Sequence, residues 1–303
     1  MTSNGSVMLF VGVLLSLLSI MVSVAFFSLL ERKVLGLVQS RVGPAKVGSY
    51  GVFQPFADAL KLISKTVSVP NSSTGWLMTL GSLFMLLVSL LCWVIFPFQF
   101  EVLSWDLSGL GLLVLLSVSV YGILMAGYFA NSKFALLGGL RAVAQAISFE
   151  IPQSVCLFGH CVVLQTLSLS SLSAFQVVMW SLLPLSGFFV LLFGCFLAES
   201  GRSPFDAGES ESELVSGYTT EYGGVTYTTV FLSENMMLVF CSALLSLLYL
   251  GNGSCVLATL LAIVAVLVRS VSPRIRFDLT MSLCWVSFVP LSIAWMWVCV
   301  VSI

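Results

Sequence analysis

Apolar residues in this chain come in long unbroken runs, not in the alternation of a half-buried strand or the one-faced stripe of a surface helix. A helix needs about 20 mostly apolar residues to cross hydrocarbon, and such runs lie near 6–30, 75–100, 109–130, 142–164, 175–198, 229–250, 254–270 and 279–302. Backbone amides in lipid must be satisfied within their own segment, and closed barrels are built from short alternating strands, so each run predicts a membrane-spanning helix. The expected fold is therefore an all-α integral membrane protein of eight transmembrane helices, with residues 1–303 forming one transmembrane domain. The longest polar stretch, about 31–74, is punctuated by Gly43-Pro44, Pro55 and Pro70. Within it Pro55 suits a first helical turn, and Phe56, Ala59, Leu60 and Ile63 follow helical spacing with Asp58, Lys61 and Lys65 on the other side. That pattern fits an amphipathic helix lying in the membrane interface, and equally a surface helix that seals the fold.

Composition sharpens this picture. At 59% hydrophobic and 8% charged, with mean hydropathy +1.10, the chain cannot offer water the polar surface of a soluble globule. Net charge is −1, but the placement of charge says more than its sum. Lys and Arg fall after spans one, three, five and seven, whereas the opposite loops carry only acids such as Glu101 and Asp106. By the positive-inside rule the basic loops share one compartment and both termini lie opposite. The first span starts almost at Met1 without a basic leader or small-residue cleavage site and reads as a retained helix. The eight cysteines include no C-x-x-C pair and read as small buried hydrophobes.

One histidine, His160, excludes bis-histidine haem; it reads as a packing or interfacial residue. No cysteine set suits an iron–sulfur cluster, and no glycine-rich phosphate loop occurs. What remains is work on protons, ions or a lipophilic ligand. The fourth span carries Arg141 at its basic end, then Gln145, then Glu150 well inside. A carboxylate at that depth costs about 2.5 to 3.5 kcal/mol when charged unless it is paired, protonated or facing water. Glu234 in the sixth span poses the same question. In the loop from Glu199 to about Thr228, Glu199, Asp206, Glu209, Glu211, Glu213 and Glu221 face only Arg202, and Asp206, Glu209 and Glu213 are spaced to share a helix face. Crowded carboxylates cannot all ionise, so such a cluster can share and hand on protons. The alternatives are a solvated acidic face or a calcium site, although the D-x-D-x-D-G loop pattern is missing.

These residues resemble membrane subunit 1 of respiratory NADH:ubiquinone oxidoreductase (complex I), the heel subunit between its membrane and peripheral arms. The resemblance covers nearly the whole chain in order: Leu30-Glu31-Arg32-Lys33-Val34-Leu35-Gly36, Gln39-x-Arg41-x-Gly43-Pro44, Gln54-Pro55-Phe56-Ala57-Asp58-Ala59-x-Lys61-Leu62, Leu140-Arg141-Ala142-Val143-Ala144-Gln145, Ala198-Glu199-x-x-Arg202-x-Pro204-Phe205-Asp206, Glu209-x-Glu211-Ser212-Glu213-Leu214-Val215-Ser216-Gly217, Glu221-Tyr222 and Pro273-Arg274-x-Arg276. It implies an eight-helix bundle and a quinone tunnel involving Gln39, Arg41, Phe56, Asp58, Arg202, Phe205, Arg274 and Arg276. It further implies a proton path through Arg141, Glu150, Glu199, Asp206, Glu209, Glu211, Glu213, Glu221 and Glu234. Ubiquinone would be the substrate, with no bound redox cofactor in this chain. The partners would be peripheral-arm quinone-site subunits, adjacent small membrane-arm subunits and membrane lipids, with no nucleic acid. The implied location is the mitochondrial inner membrane, with the long loops on the matrix side and both termini in the intermembrane space. Phe149, Lys133, Ser210 and Asn235 depart from the family's usual pattern. A proton-coupled secondary transporter and a passive assembly anchor are the competing readings; the first would call for related halves with broken helices.

Overall fold

The structure is a computed structural model that describes residues 3–66, 74–97, 106–178, 181–182, 184–208, 215–251 and 254–302, and among these it is all helical, with no strand. Its main helices follow in order: α1 Ser3–Val38, α2 Gln54–Ser64, α3 Gly75–Ile95, α4 Ser108–Phe129, α5 Lys133–Leu164, α6 Leu169–Val178, α7 Ser186–Glu199, α8 Val225–Leu250, α9 Cys255–Val271 and α10 Phe277–Val301. Six of them (α1 over Val11–Val38, α3, α4, α5, α8 and α10) are long and apolar enough to cross a membrane. The expected fifth and seventh spans correspond to shorter apolar helices. With 14 residues α7 rises about 21 Å and with 17 residues α9 about 26 Å, both under the roughly 30 Å of hydrocarbon.

Three boundaries differ from the sequence expectation. The first helix continues past residue 30 to Val38. Glu, Arg and Lys are good helix formers, and Glu31 is buried against Arg269 of α9, so the charged residues extend α1 instead of ending it. The fourth helix begins at Lys133, where the Ser132 hydroxyl accepts from the Ala135 amide at 3.3 Å. Arg141 consequently lies within α5 and Lys133 opens it. The expected run 175–198 divides into the end of α6 and α7; Pro184 stands in the break, where it has no amide to continue a helix.

The most enclosed helix is α8, with 78% of its apolar window buried against 17% for α10. Phe240, Met236 and Leu244 of α8 pack with Cys92 and Trp93 of α3 and Phe188 and Leu192 of α7. Neighbouring helices approach closely where side chains vanish: a Cβ on Gly139 of α5 would lie 3.0 Å from the Gly127 Cα of α4. The lone histidine is buried in this core, its ring 4.5 Å from that of Tyr249.

Candidate functional site

Polar chemistry concentrates where α3, α4, α5 and α8 meet the segment after α7. A cavity of about 70 Å³ there is lined by Gln145, Glu199, Phe205, Asp206, Tyr218, Ser233 and Glu234, among others. By that measure it has room for a few water molecules. Gln145 anchors the wall: its side-chain amide donates to the carbonyls of Ala198 at 2.9 Å and Phe205 at 2.6 Å, tying α5 to the segment that carries the acids. Gln153, two turns further along α5, donates to Glu199 Oε2 at 3.0 Å, while Glu199 Oε1 is buried without a hydrogen-bond partner. Tyr218, in a 3₁₀ turn over Gly217–Thr219, donates its phenol to Glu234 Oε1. That turn is held close because Gly138 of α5 sits against Gly217, where a Cβ would come within 2.7 Å. Beside it, burial pushes the Tyr222 phenol above its ordinary range, so Tyr222 stays protonated and donates to the Ala126 carbonyl at 3.0 Å.

A charged bridge stands next to this chamber. Glu31 of α1 is only 6% exposed and contacts two guanidiniums, Arg269 of α9 and, at 3.7 Å, Arg202. Arg202 also donates to Asn235 Oδ1 at 2.7 Å and lies 5.9 Å from the centre of the Phe231 ring. Asp206 accepts from Arg274 at 2.7 Å, and the Ile275 amide donates to the Pro204 carbonyl at 3.1 Å, pinning the segment after α9 onto the one after α7.

Across the bridge lies a second, larger cavity of about 370 Å³ between α1, α2 and α8. Val24, Ala25, Leu62, Tyr227, Phe231 and Leu232 supply an apolar wall, with Arg32, Asp58, Lys61, Lys65 and Asn235 among its polar members. Asp58 is held by Arg32 at 2.7 Å and by the Gln54 amide at 3.0 Å, which locks α2 to α1. Consecutive residues of α8 thus face different spaces: Glu234 lines the acidic chamber and Asn235 the larger cavity.

Of the residues expected to act on quinone, Asp58 lines the larger cavity, Phe205 the acidic chamber, and Arg202 bonds Asn235 of the larger cavity's wall. Gln39 and Arg41 are exposed in the turn after α1 and bond each other at 2.7 Å. Phe56 is exposed and packs edge-on against Phe26, while Arg274 and Arg276 lie at the exposed rim. Of the residues expected on the proton path, Glu199, Asp206 and Glu234 share the chamber. Glu150 is half-buried further along α5; Arg141 and Glu221 are half-buried outside the chamber lining. Glu209, Glu211 and Glu213 lie outside the described residues, as does the face they were expected to share with Asp206; Glu101 lies outside them too. Sequence reasoning did not single out Glu31, Arg32, Gln153, Tyr218 or Arg269. Glu31 and Arg32 sit inside a motif already quoted, but their partners come from distant helices. Asn235 stood out only as a departure from pattern.

The chain matches the NADH dehydrogenase family over residues 11–300. It is 38% identical over 288 residues to the "NADH-ubiquinone oxidoreductase chain 1" of Aedes aegypti, covering 93% of this chain and 92% of that protein. The protein of the same name from Locusta migratoria is 40% identical over 285 residues, covering 92% and 91%. That from Mycosarcoma maydis is 38% identical over 305 residues, covering 93% and 92%.

Proposed function

The chain belongs to the NADH dehydrogenase family, and from that premise we propose that it is a multi-pass membrane subunit of a proton-translocating NADH:ubiquinone oxidoreductase. It works in the mitochondrial inner membrane, where it houses ubiquinone and couples quinone reduction to proton movement. The observation that carries this reading is the pair of cavities lined by consecutive residues of α8, Glu234 and Asn235, with Arg202 bonded to Asn235. A large apolar space suits an isoprenoid quinone, and a small acidic one suits proton exchange. All eight apolar runs cross the bilayer in this reading, with α7 and α9 completed by neighbouring segments. α2 lies in the interface, the basic loops face the matrix and both termini face the intermembrane space.

Electrons reach the quinone from peripheral-arm subunits that close the cavity, and this chain contributes electrostatics without a bound redox cofactor of its own. Negative charge developing on the quinone in a low-dielectric cavity draws on the Arg202 guanidinium, which Asn235 and Glu31 hold at the partition. As Arg202 is drawn toward the quinone, its support for the chamber acids weakens. Glu234, Asp206 and Glu199 then bind protons more tightly and pass them toward Glu150. The acidic segment 209–213, Arg141 and Glu221 extend this path; Gln39, Arg41, Phe56, Arg274 and Arg276 face the peripheral arm or the mouth of the tunnel.

In the assembled enzyme, a photoreactive ubiquinone is expected to label α1 and α8 around Val24 and Phe231. Glu150→Gln and Asp206→Asn are expected to depress quinone-linked proton pumping. Normal pumping in both variants, or labelling elsewhere, would overturn the assignment.

A further inference from the structure

The mouth of the larger cavity carries positive charge that no acid among the described residues pairs within salt-bridge distance. Asp58 is engaged by Arg32 and Gln54, while Lys61 and Lys65 make no ion pair among the described residues. Lys61 stands in the last turn of α2 and Lys65 directly follows the helix, and both border the cavity. Other residues of the same helix, Phe56, Leu60 and Ile63, are 44%, 69% and 61% exposed, an apolar surface suited to the acyl region of a bilayer. Between α1 and α8 the cavity has an apolar stretch of wall, with Val24, Ala25 and Leu232 among its residues.

We propose that this mouth is a binding site for an anionic phospholipid of the surrounding bilayer, its phosphate held between Lys61 and Lys65 and one acyl chain laid into the cavity between α1 and α8. The proposal rests on the interfacial placement of α2 given above and deepens the reading of that cavity. A zwitterionic lipid brings its own cation to the same place and gains less from the lysines, whereas a net negative headgroup completes the site. The lipid thereby becomes a neighbour of the quinone tail and shapes the entrance it passes.

The test uses the assembled enzyme in nanodiscs of phosphatidylcholine, doped with trace phosphatidylglycerol or phosphatidylcholine carrying the same diazirine in one acyl chain. Phosphatidylglycerol is expected to label the α1 and α8 peptides around Val24 and Leu232 several-fold more than phosphatidylcholine does. Lys61→Gln and Lys65→Gln should each lower that labelling, and together bring it down to the phosphatidylcholine level. Lys61→Arg/Lys65→Arg should retain it. Equal labelling by the two lipids, or labelling unchanged in the double Gln variant, overturns the site. Labelling by photoreactive ubiquinone is recorded in parallel. Loss of lipid preference with quinone labelling intact refutes the lipid site alone, and absence of both refutes the cavity reading itself.

Discussion

Single side chains at the partition carry two expectations. Glu31 lies between Arg202 and Arg269, and removing its charge leaves two guanidiniums in a poorly solvated place without that counter-charge. Breaking a buried pair in this way costs about 3 to 5 kcal/mol; Arg269 keeps about a third of its side chain exposed, so the lower end applies. Glu31→Gln is expected to lower the thermal inactivation temperature of the assembled enzyme, and Arg269→Gln in the same background to restore much of the loss. Failure of that double-mutant cycle to show coupling would mean the contact is incidental. Tyr218 acts more locally. Its phenol donates to Glu234, and a hydrogen bond is worth about 0.5 to 1.5 kcal/mol. Tyr218→Phe should therefore slow the proton-coupled step by roughly two- to tenfold while leaving assembly intact. An unchanged rate of ubiquinone reduction and pumping would remove Tyr218 from the path. Neither residue was legible as functional in the chain: an acid beside Arg32 and Lys33 reads as part of a basic loop until α9 is folded against α1. A tyrosine in an acidic loop likewise reads as packing until the turn at Gly217 brings it to α8.

Among the elements, what could be read from the chain was the length and hydropathy of the apolar runs, which is why α3, α4, α8 and α10 lie close to their expected bounds. The ends that moved are those where polar residues continue a helix because tertiary partners satisfy them, as at Glu31 in α1, or where a cap lies outside the apolar run, as at Ser132 before α5. Hydropathy is blind to both. It also merged α6 with α7, since an apolar break and an apolar helix have the same composition. Packing between helices was equally hidden, because a glycine in an apolar run reports nothing about its neighbour. Gly127 and Gly139 bring α4 and α5 into backbone contact beside the acidic chamber. Gly139→Val forces backbone to move, an overpacking cost of about 1 to 3 kcal/mol. Its expected result is reduced abundance of the assembled enzyme, worse at higher growth temperature, with Gly139→Ala milder. Wild-type abundance of the valine variant would show that α4 and α5 separate there without consequence.

For the whole molecule the decisive question is whether two cavities on opposite sides of α8 act as one device. Glu234 and Asn235 are adjacent in sequence and open to different spaces, and Arg202 reaches Asn235 from the segment whose neighbouring residues, Gly201 and Phe205, line the acidic chamber. If Arg202 transmits charge between them, deleting its charge should separate binding from coupling. Arg202→Gln leaves the apolar wall of the larger cavity in place, so KM for ubiquinone is expected to stay within about twofold, which is under 0.5 kcal/mol of binding. Protons moved per quinone reduced should fall instead. Asn235→Leu removes the acceptor of Arg202, along with the amide that donates to the Phe231 carbonyl, and should give the same split to a smaller degree. Because the guanidinium is largely buried, with 12% of its side chain exposed, salt screens it weakly and the effect should persist at high ionic strength. A purely structural role for Arg202 predicts a different outcome: KM and turnover would deteriorate together and the proton ratio would hold. Measuring quinone affinity, turnover and proton ratio on the same reconstituted variants decides between a partition that signals and one that only seals.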